Sequence, residues 1–396
     1  MKLYFFNPDH DIALACHDAN YTSPKLVCLM ERDLAMLPMW YAESGSALYN
    51  GEGVDSRFLR SLKELFPIDI SLLTDCSTMQ VEPQPWGWDL KVMKRFRQMG
   101  VDNNLLPDDP QLEHVRELSG RALAVGILDR LRAMEHVIGE SSVLTMVEEC
   151  RSYVRKFGKV VFKSPWSSSG RGLRWCYDSF TDKEEGWCKN VIAAQGYLTA
   201  SPIYRCKQDF AMEFWCDKRV GASFSGYSIF DTQEGRYAGN VLMSQQRMEQ
   251  ILAASIPEEV LLKVRAALEE QFGTLVAPYY TGPVGVDMMI CENEEGRTVL
   301  HPCVEINLRM TMGMLAKTFF DRYVSERSEG FFRIEYVSAP NRIRELHHEA
   351  SKQCAPLIRD GRLIQGYLSL IPVNPQTRYR VYVTLTSCTS DATNAL

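Results

Sequence analysis

Three polar residues at strict two-residue spacing constrain the fold more than any other feature of the sequence. Glu305, Asn307 and Arg309 alternate with apolar residues in the segment VEINLRM. Successive side chains of a β-strand point to opposite faces, so these three project from one face and their apolar neighbours face a core. The preceding turn sequence ENEEGR predicts a β-hairpin over residues 283–309. Its antiparallel return would bring Asp287 beside Glu305 on the same face.

This hairpin carries the side-chain chemistry of a divalent metal site. Two carboxylates and an amide oxygen are hard ligands that suit Mg²⁺, with Mn²⁺ as an alternative metal. We therefore take Asp287, Glu305 and Asn307 as candidate metal ligands. Arg309 beside them could hold a phosphate or a developing oxyanion. The alternative is an exposed polar hairpin face that binds nothing, although two carboxylates this close are costly without a cation.

A second motif, KVVFKSPWSSSGRGLRW, has the character of a phosphate-binding loop. The apolar run 160–162 predicts a strand that ends at Lys163, and a loop of small residues follows. Small residues let backbone N–H groups approach phosphate oxygens closely. The candidate loop residues are Ser167, Ser168, Ser169, Gly170, Arg171 and Gly172. The order of residues is neither that of a P-loop nor that of a dinucleotide-binding fingerprint. A hairpin with a flexible turn and an exposed lysine is the alternative.

The order of predicted elements divides the chain into several parts. Strands alternate with helices up to about residue 88, which favours a small open α/β domain. Within it we expect a helix from Pro24 to about Ala42. Residues 89–329 would form the nucleotide-binding region and residues 330–387 a further α+β segment. We expect the small, polar tail 388–396 to be disordered.

Composition excludes several classes of function. The net charge of −6 gives no basic footprint for nucleic acid. No run of about 18 apolar residues predicts a membrane span. The 12 cysteines form no C-x-x-C pair, and no export signal is evident, so we expect a reducing cytoplasm.

Taken together, the two motifs and the order of elements resemble the ATP-grasp superfamily. The resemblance implies an α/β and α+β fold, in which two α+β subdomains hold the nucleotide behind a small Rossmann-like domain. It implies that Arg121, in LSGRALAVGILDRL, and Lys163 contact phosphates. The segment VIAAQGYL resembles the hinge strand, and DFAMEFWCD resembles the strand that follows it. The implied nucleotide contacts in these two segments are Gln195, Gly196, Tyr197, Leu198 and Glu213.

The same resemblance implies an ATP-dependent carboxylate–amine ligase that forms ADP through an acyl phosphate. Its substrates would be a small-molecule or peptide carboxylate and an amine, and its catalytic residues Lys163 and Arg309. A phosphotransferase and a non-catalytic ATP-binding protein remain as alternatives, and a homodimer is compatible with the family. By analogy alone, the N-terminal candidates for contact with the second substrate are Asn7, Asp9, His10 and Asp11. The alternative for that segment is a turn after a strand.

Overall fold

The computed structural model describes residues 1–77, 79–167, 172–177, 179–233 and 236–387. Within them the strands form one parallel sheet and two antiparallel sheets. The predicted fold class, α/β followed by two α+β units, is confirmed. Residues 168–171 of the candidate phosphate loop and the tail 388–396 lie outside the described residues.

The front of the chain is a four-stranded parallel sheet with the order β3-β2-β1-β4. Its elements are β1 (Lys2–Phe5), α1 (His10–Cys16), α2 (Lys25–Asp33), β2 (Ser46–Tyr49), α3 (Ser56–Lys63), β3 (Ile70–Leu73), β4 (Glu82–Pro85) and α4 (Leu90–Gln98). Short 3-10 helices occur at Leu37–Trp40 and Asn103–Leu105. Val92 and Phe96 of α4 pack with Leu3 and Phe5 of β1, so the packing of this unit extends past residue 88.

The helix expected from Pro24 to Ala42 is shorter than predicted. α2 ends at Asp33, and a 3-10 turn follows at Leu37–Trp40. Pro38 has no backbone N–H and cannot continue an α-helix, which explains the early end. Elsewhere the helix starts follow from the sequence, since Asp55 caps α3 and Asp89 caps α4 through their carboxylates.

Two connecting helices and a small antiparallel sheet come next. They are α5 (Asp109–Leu118), α6 (Arg121–Leu131), β5 (Ser142–Leu144), α7 (Val147–Phe157), β6 (Val160–Lys163), β7 (Leu173–Cys176), α8 (Asp182–Gln195) and β8 (Leu198–Pro202). The strand order is β5-β8-β6-β7. This sheet has its own small core, which includes Phe162, Cys188 and Leu198.

The prediction that VIAAQGYL forms the hinge strand is wrong for its first five residues, 191–195, which are helical. They are the last turns of α8, which starts at a capping box formed by Thr181 and Glu184. Gly196 ends the helix with a left-handed conformation, φ 86°. The strand begins only at Leu198, because Val191 and Ile192 pack as helical residues on the core of this sheet.

The rest of the chain builds a nine-stranded antiparallel sheet, ordered β13-β12-β9-β10-β11-β14-β17-β16-β15. Its elements are β9 (Arg205–Asp217), β10 (Gly221–Gln233), β11 (Arg236–Leu242), α9 (Gln245–Ala253), α10 (Glu258–Leu275), β12 (Gly282–Glu292), β13 (Thr298–Asn307), α11 (Met312–Tyr323), β14 (Ser328–Tyr336), α12 (Arg342–Gln353), β15 (Leu357–Arg359), β16 (Arg362–Ser369) and β17 (Tyr379–Ser387). The strands of the segment 330–387 therefore continue the sheet that carries the candidate metal ligands.

The front unit and this large sheet share one hydrophobic core around Trp40. The Trp40 ring meets Phe319 and Tyr323 of α11 edge to face, with centroid distances of 5.1 and 5.3 Å. Its indole N–H donates to the Leu370 carbonyl at 2.7 Å. The front unit is thus fixed to the strands at one end of the nine-stranded sheet. No helix in the described part of the chain is both long enough and apolar enough to cross a membrane.

Candidate functional site

The hairpin of β12 and β13 brings the candidate metal ligands together. Asp287 pairs directly with Glu305, and Gly285 pairs with Asn307. Residues paired across an antiparallel ladder share a face, so the three polar side chains converge. The Asn307 amide N–H donates to Asp287 Oδ2 at 3.3 Å. This is the arrangement that the two-residue spacing predicted.

The neighbouring carboxylates of Asp287 and Glu305 favour the binding of a cation. Burial, and then the nearby carboxylates of Glu305 and Glu213, raise the pKa of Asp287 to about 8. A divalent ion would remove the cost of placing these carboxylates side by side. Within the described residues, no group of three or more His, Cys, Asp or Glu side chains is arranged to hold a metal. Two carboxylates and one amide fit Mg²⁺, which commonly takes its other ligands from water and substrate phosphates.

Two basic side chains, one from α6 and one from the small sheet, reach this hairpin. Arg121, at the start of α6, pairs with Glu305 at 2.8 Å (Nη2 to Oε1). Lys163, at the end of β6, lies with its Nζ 3.5 Å from the Val304 carbonyl. Burial, and then the charge of Arg121, lower the pKa of Lys163 to about 8. The two sequence motifs therefore meet at one site, where the cations face carboxylates.

The described ends of the candidate phosphate loop are tied to Arg121. Its Nε donates to the Ser164 carbonyl at 2.9 Å, and its Nη2 lies 3.4 Å from Ser167 Oγ. The Ser164 N–H donates to the Gly172 carbonyl at 2.8 Å, which closes the base of the loop. A Cβ on Gly172 would overlap the Ser167 side chain, so this position requires glycine. The predicted loop residues Ser168, Ser169, Gly170 and Arg171 lie outside the described residues.

The residues expected to contact adenine run from the end of α8 at Gln195 to the start of β8 at Leu198. Gln195 accepts a hydrogen bond from the Trp166 N–H at 3.2 Å, and the Tyr197 ring packs against the Trp166 ring. The chain crosses from the small sheet to the large one later, between β8 and β9 at residues 203–204. Contact of Gln195, Gly196, Tyr197 and Leu198 with a nucleotide stays a prediction.

The Glu213 side chain is buried and hydrogen-bonded within the protein rather than exposed to a ligand. Its side chain is 1% exposed and accepts hydrogen bonds from Ser228 Oγ at 2.9 Å and Thr311 Oγ1 at 3.0 Å. Burial raises its pKa to about 7. Glu213 therefore contributes charge behind Asp287, while its predicted contact with the nucleotide has no support from these contacts.

Arg309 contacts a residue of the front unit that the hairpin motif did not predict. Asp11 of α1 accepts two hydrogen bonds from its guanidinium, at 3.1 and 3.0 Å. The positions are far apart in sequence, and no local pattern signals the pairing.

His301 was also missed by the sequence analysis. Burial, and then the charge of Lys163, lower its pKa to about 3. Its Nδ1 has no hydrogen-bond partner among the described residues. His301 lies within the predicted hairpin at an even spacing from Glu305, so the same alternation could have placed it on that face.

Comparisons with known proteins give matches only among solved structures. No family model matches the sequence, and no curated protein matches it. The N5-carboxyaminoimidazole synthetase from Staphylococcus aureus, complexed with ADP, is 10% identical with a TM-score of 0.48, and the match covers 87% of this chain and 94% of that chain. The N5-carboxyaminoimidazole synthase from Aspergillus clavatus, in complex with ADP and 5-aminoimidazole ribonucleotide, is 12% identical with a TM-score of 0.49. That match covers 89% of this chain and 96% of that chain.

A biotin carboxylase from Campylobacter jejuni, bound to an ATP analogue, also matches. It is 11% identical with a TM-score of 0.48, and the match covers 98% of this chain and 87% of that chain. These proteins are ATP-grasp enzymes, the superfamily that the sequence resembles.

Proposed function

We propose that this protein is an ATP-dependent carboxylate–amine ligase that forms ADP and uses Mg²⁺. The observation that carries the proposal is the meeting of Arg121 and Lys163 with Asp287, Glu305 and Asn307 in one cleft. Cationic and anionic groups placed side by side in this way suit a metal–nucleotide complex, in which phosphates meet the cations and the metal meets the carboxylates.

The basic residues would position the phosphates. Lys163 keeps most of its charge near neutral pH, because its lowered pKa is still about 8. It would neutralise phosphate charge inside a largely desolvated cleft, where a cation acts more strongly than in water. Arg121 is bonded to Ser164 and Glu305 and would present its guanidinium beside the loop. Such positioning and charge neutralisation supply most of the catalysis in phosphoryl transfer.

Asp287, Glu305 and Asn307 would hold the metal. When bound, Mg²⁺ would neutralise charge on the phosphate oxygens. The protonated fraction of Asp287 would have to give up its proton for the carboxylate to bind a cation. The remaining protein groups need only hold these three side chains in place.

The proposed reaction has two steps, formation of an acyl phosphate and its aminolysis. A substrate carboxylate oxygen attacks the γ-phosphorus, the bond to the β-phosphate oxygen breaks, and ADP leaves. An amine then attacks the acyl carbon of the acyl phosphate, phosphate leaves, and the nitrogen loses a proton. This mechanism requires no covalent nucleophile from the protein.

The experiment is a product assay with pools of carboxylic acids and amines, with Mg²⁺ and ATP. We expect ADP release that needs both an acid and an amine, and trapping of an activated acyl group by hydroxylamine when the amine is left out. Lys163→Met is the negative control, because it removes the cation and keeps much of the volume. ADP release with a stable phosphorylated product, and no amide, would instead identify a phosphotransferase.

A further inference from the structure

Asp11 of the front unit holds Arg309 in a two-point ion pair. Arg309 Nε lies 3.1 Å from Asp11 Oδ1, and Nη2 lies 3.0 Å from Oδ2. The two side chains are 18% and 17% exposed, so the pair is largely shielded from water. Paired hydrogen bonds between a guanidinium and a carboxylate fix both distance and orientation. The front unit therefore fixes the plane of a guanidinium that lies beside the candidate metal ligands.

Most of the hydrogen-bonding capacity of Arg309 is used within the protein. Nη2 also donates to Asn307 Oδ1 at 2.9 Å, and Nη1 donates to the Met310 carbonyl at 3.1 Å. With the two bonds to Asp11, these contacts occupy four of the five N–H groups of a guanidinium. One N–H on Nη1 is left for a ligand. Arg309 is thus placed to hold its neighbours more than to bind an anion by itself.

Other polar residues of the N-terminal segment serve local structure. Asn7 donates to the Gly87 carbonyl and to Asp89, at 2.8 and 3.0 Å. Asp9 accepts a hydrogen bond from Ser23 at 2.6 Å, and the His10 ring faces Asp89. Asp11 is the residue of this segment that reaches the candidate site.

We propose that Asp11 is a positioning residue, which holds Arg309 so that Arg309 orients Asn307 and, through it, Asp287. The proposal rests on the proposed function, because Asn307 and Asp287 are the proposed metal ligands. The hydrogen-bonded series runs from Asp11 to Arg309, from Arg309 to Asn307, and from Asn307 to Asp287. Arg309 is also close enough to Asp287 and Glu305 to interact with their charges. Without Asp11, this guanidinium would turn toward the two carboxylates and compete with the metal for them.

The charge of Asp11 is present across the working pH range. Burial raises its pKa, but the charges of Arg309, His10 and Arg121 and the hydrogen bonds from Arg309 outweigh burial, so the pKa lies below its usual value. The ion pair therefore persists near neutral pH, and its role does not depend on protonation of Asp11.

The first test compares Asp11→Asn with a matched control, Asp33→Asn. Asp33 is another front-unit carboxylate that contacts the large sheet, where it accepts the N–H groups of Arg378 and Tyr379 at 2.6 and 3.0 Å. We expect the Mg²⁺ concentration that half-saturates ATP binding to rise about tenfold in Asp11→Asn, as when the partner of a metal ligand is removed. Asp33→Asn should lower the melting temperature with no change in Mg²⁺ dependence. Equal melting shifts with unchanged Mg²⁺ dependence in both variants would overturn the positioning role.

A second test uses the metal-free protein and separates this proposal from the proposed function. If the wild type fails to bind ATP with Mg²⁺, the proposed function fails. The hydrogen-bonded series is still tested by the melting temperatures of Asp11→Asn, Asn307→Ala and the double variant. Asp11 and Asn307 are linked through Arg309, so the shifts of the single variants should not add, and the coupling should disappear in an Arg309→Met background. Additive shifts, or coupling that survives without Arg309, would overturn the inference.

Discussion

Replacing Asp287 with asparagine should raise the free energy of unfolding of the metal-free protein and abolish its stabilisation by metal. The pKa of Asp287 is raised from 3.8 to about 8, first by burial and then by the charges of Glu305 and Glu213. A folded-state pKa above the unfolded value means that the native state loses stability as the pH rises through that window. Asparagine keeps the size of the side chain and carries no charge at any pH.

The magnitude follows from the size of that pKa shift. Each pKa unit corresponds to about 1.4 kcal/mol, so the shift sets an upper limit of roughly 6 kcal/mol for the cost of the ionised side chain. Asp287 is only partly buried, and water and relaxation reduce that cost, so we expect about 1–3 kcal/mol. At pH 6 the folded side chain still carries its proton but the unfolded one has lost it, so about half of this difference should be present at pH 6 and all of it at pH 9.

The assay is urea unfolding of both proteins at pH 6 and pH 9, with EDTA and with Mg²⁺ and ATP. With EDTA, Asp287→Asn should be the more stable protein at pH 9. With Mg²⁺ and ATP at a hundredfold excess over the dissociation constant, the wild type should gain about 2.7 kcal/mol and the variant much less. A wild type whose metal-free stability is the same at both pH values would refute the reasoning about charge in this cleft.

The remaining predictions concern packing. In Gly313→Ala the new Cβ would overlap Glu213 and Ser228, so we expect a loss of about 1–3 kcal/mol in urea unfolding, whereas Gly186→Ala in α8, where a Cβ would meet nothing within 4 Å, should be neutral or stabilising. Equal effects of the two substitutions would contradict the close packing at Gly313. Trp40→Phe removes the hydrogen bond to the Leu370 carbonyl and part of the shared core, so we expect a loss of roughly 1–3 kcal/mol in a single unfolding transition. A second transition in that variant would show that the front unit unfolds separately.

Local patterns in the sequence predicted much of the fold and the placement of Asp287, Glu305 and Lys163 in the candidate site. Alternation of polar and apolar residues predicted the β12–β13 hairpin. The turn sets the register only as far as Met289 and His301, and an irregularity between Asp287 and Met289 then shifts it so that Asp287 pairs with Glu305. Lys163 was predicted at a strand end because the apolar run before it is short and β-branched. In each case the information lies within about 25 residues of sequence.

The errors and omissions occur where distant residues decide the outcome. Val191 and Ile192 favour a strand locally, but the capping box at Thr181 and packing on the small sheet keep them helical. The pairing of Asp11 with Arg309 depends on how the front unit docks on the large sheet, which no local pattern encodes. Glu213 has the alternation of a cleft residue, yet hydroxyls from β10 and from the start of α11 seal it.

The proposed function requires that the site between the small sheet and the β12–β13 hairpin bind ATP together with Mg²⁺. The most direct measurement is calorimetric titration of ATP, with Mg²⁺ and with EDTA, into the wild type and the Glu305→Gln, Asn307→Ala double variant. We predict binding that requires Mg²⁺ in the wild type and at least a tenfold loss of affinity in the double variant. Absence of binding to the wild type at any Mg²⁺ concentration, or equal binding by both proteins, would contradict the claim.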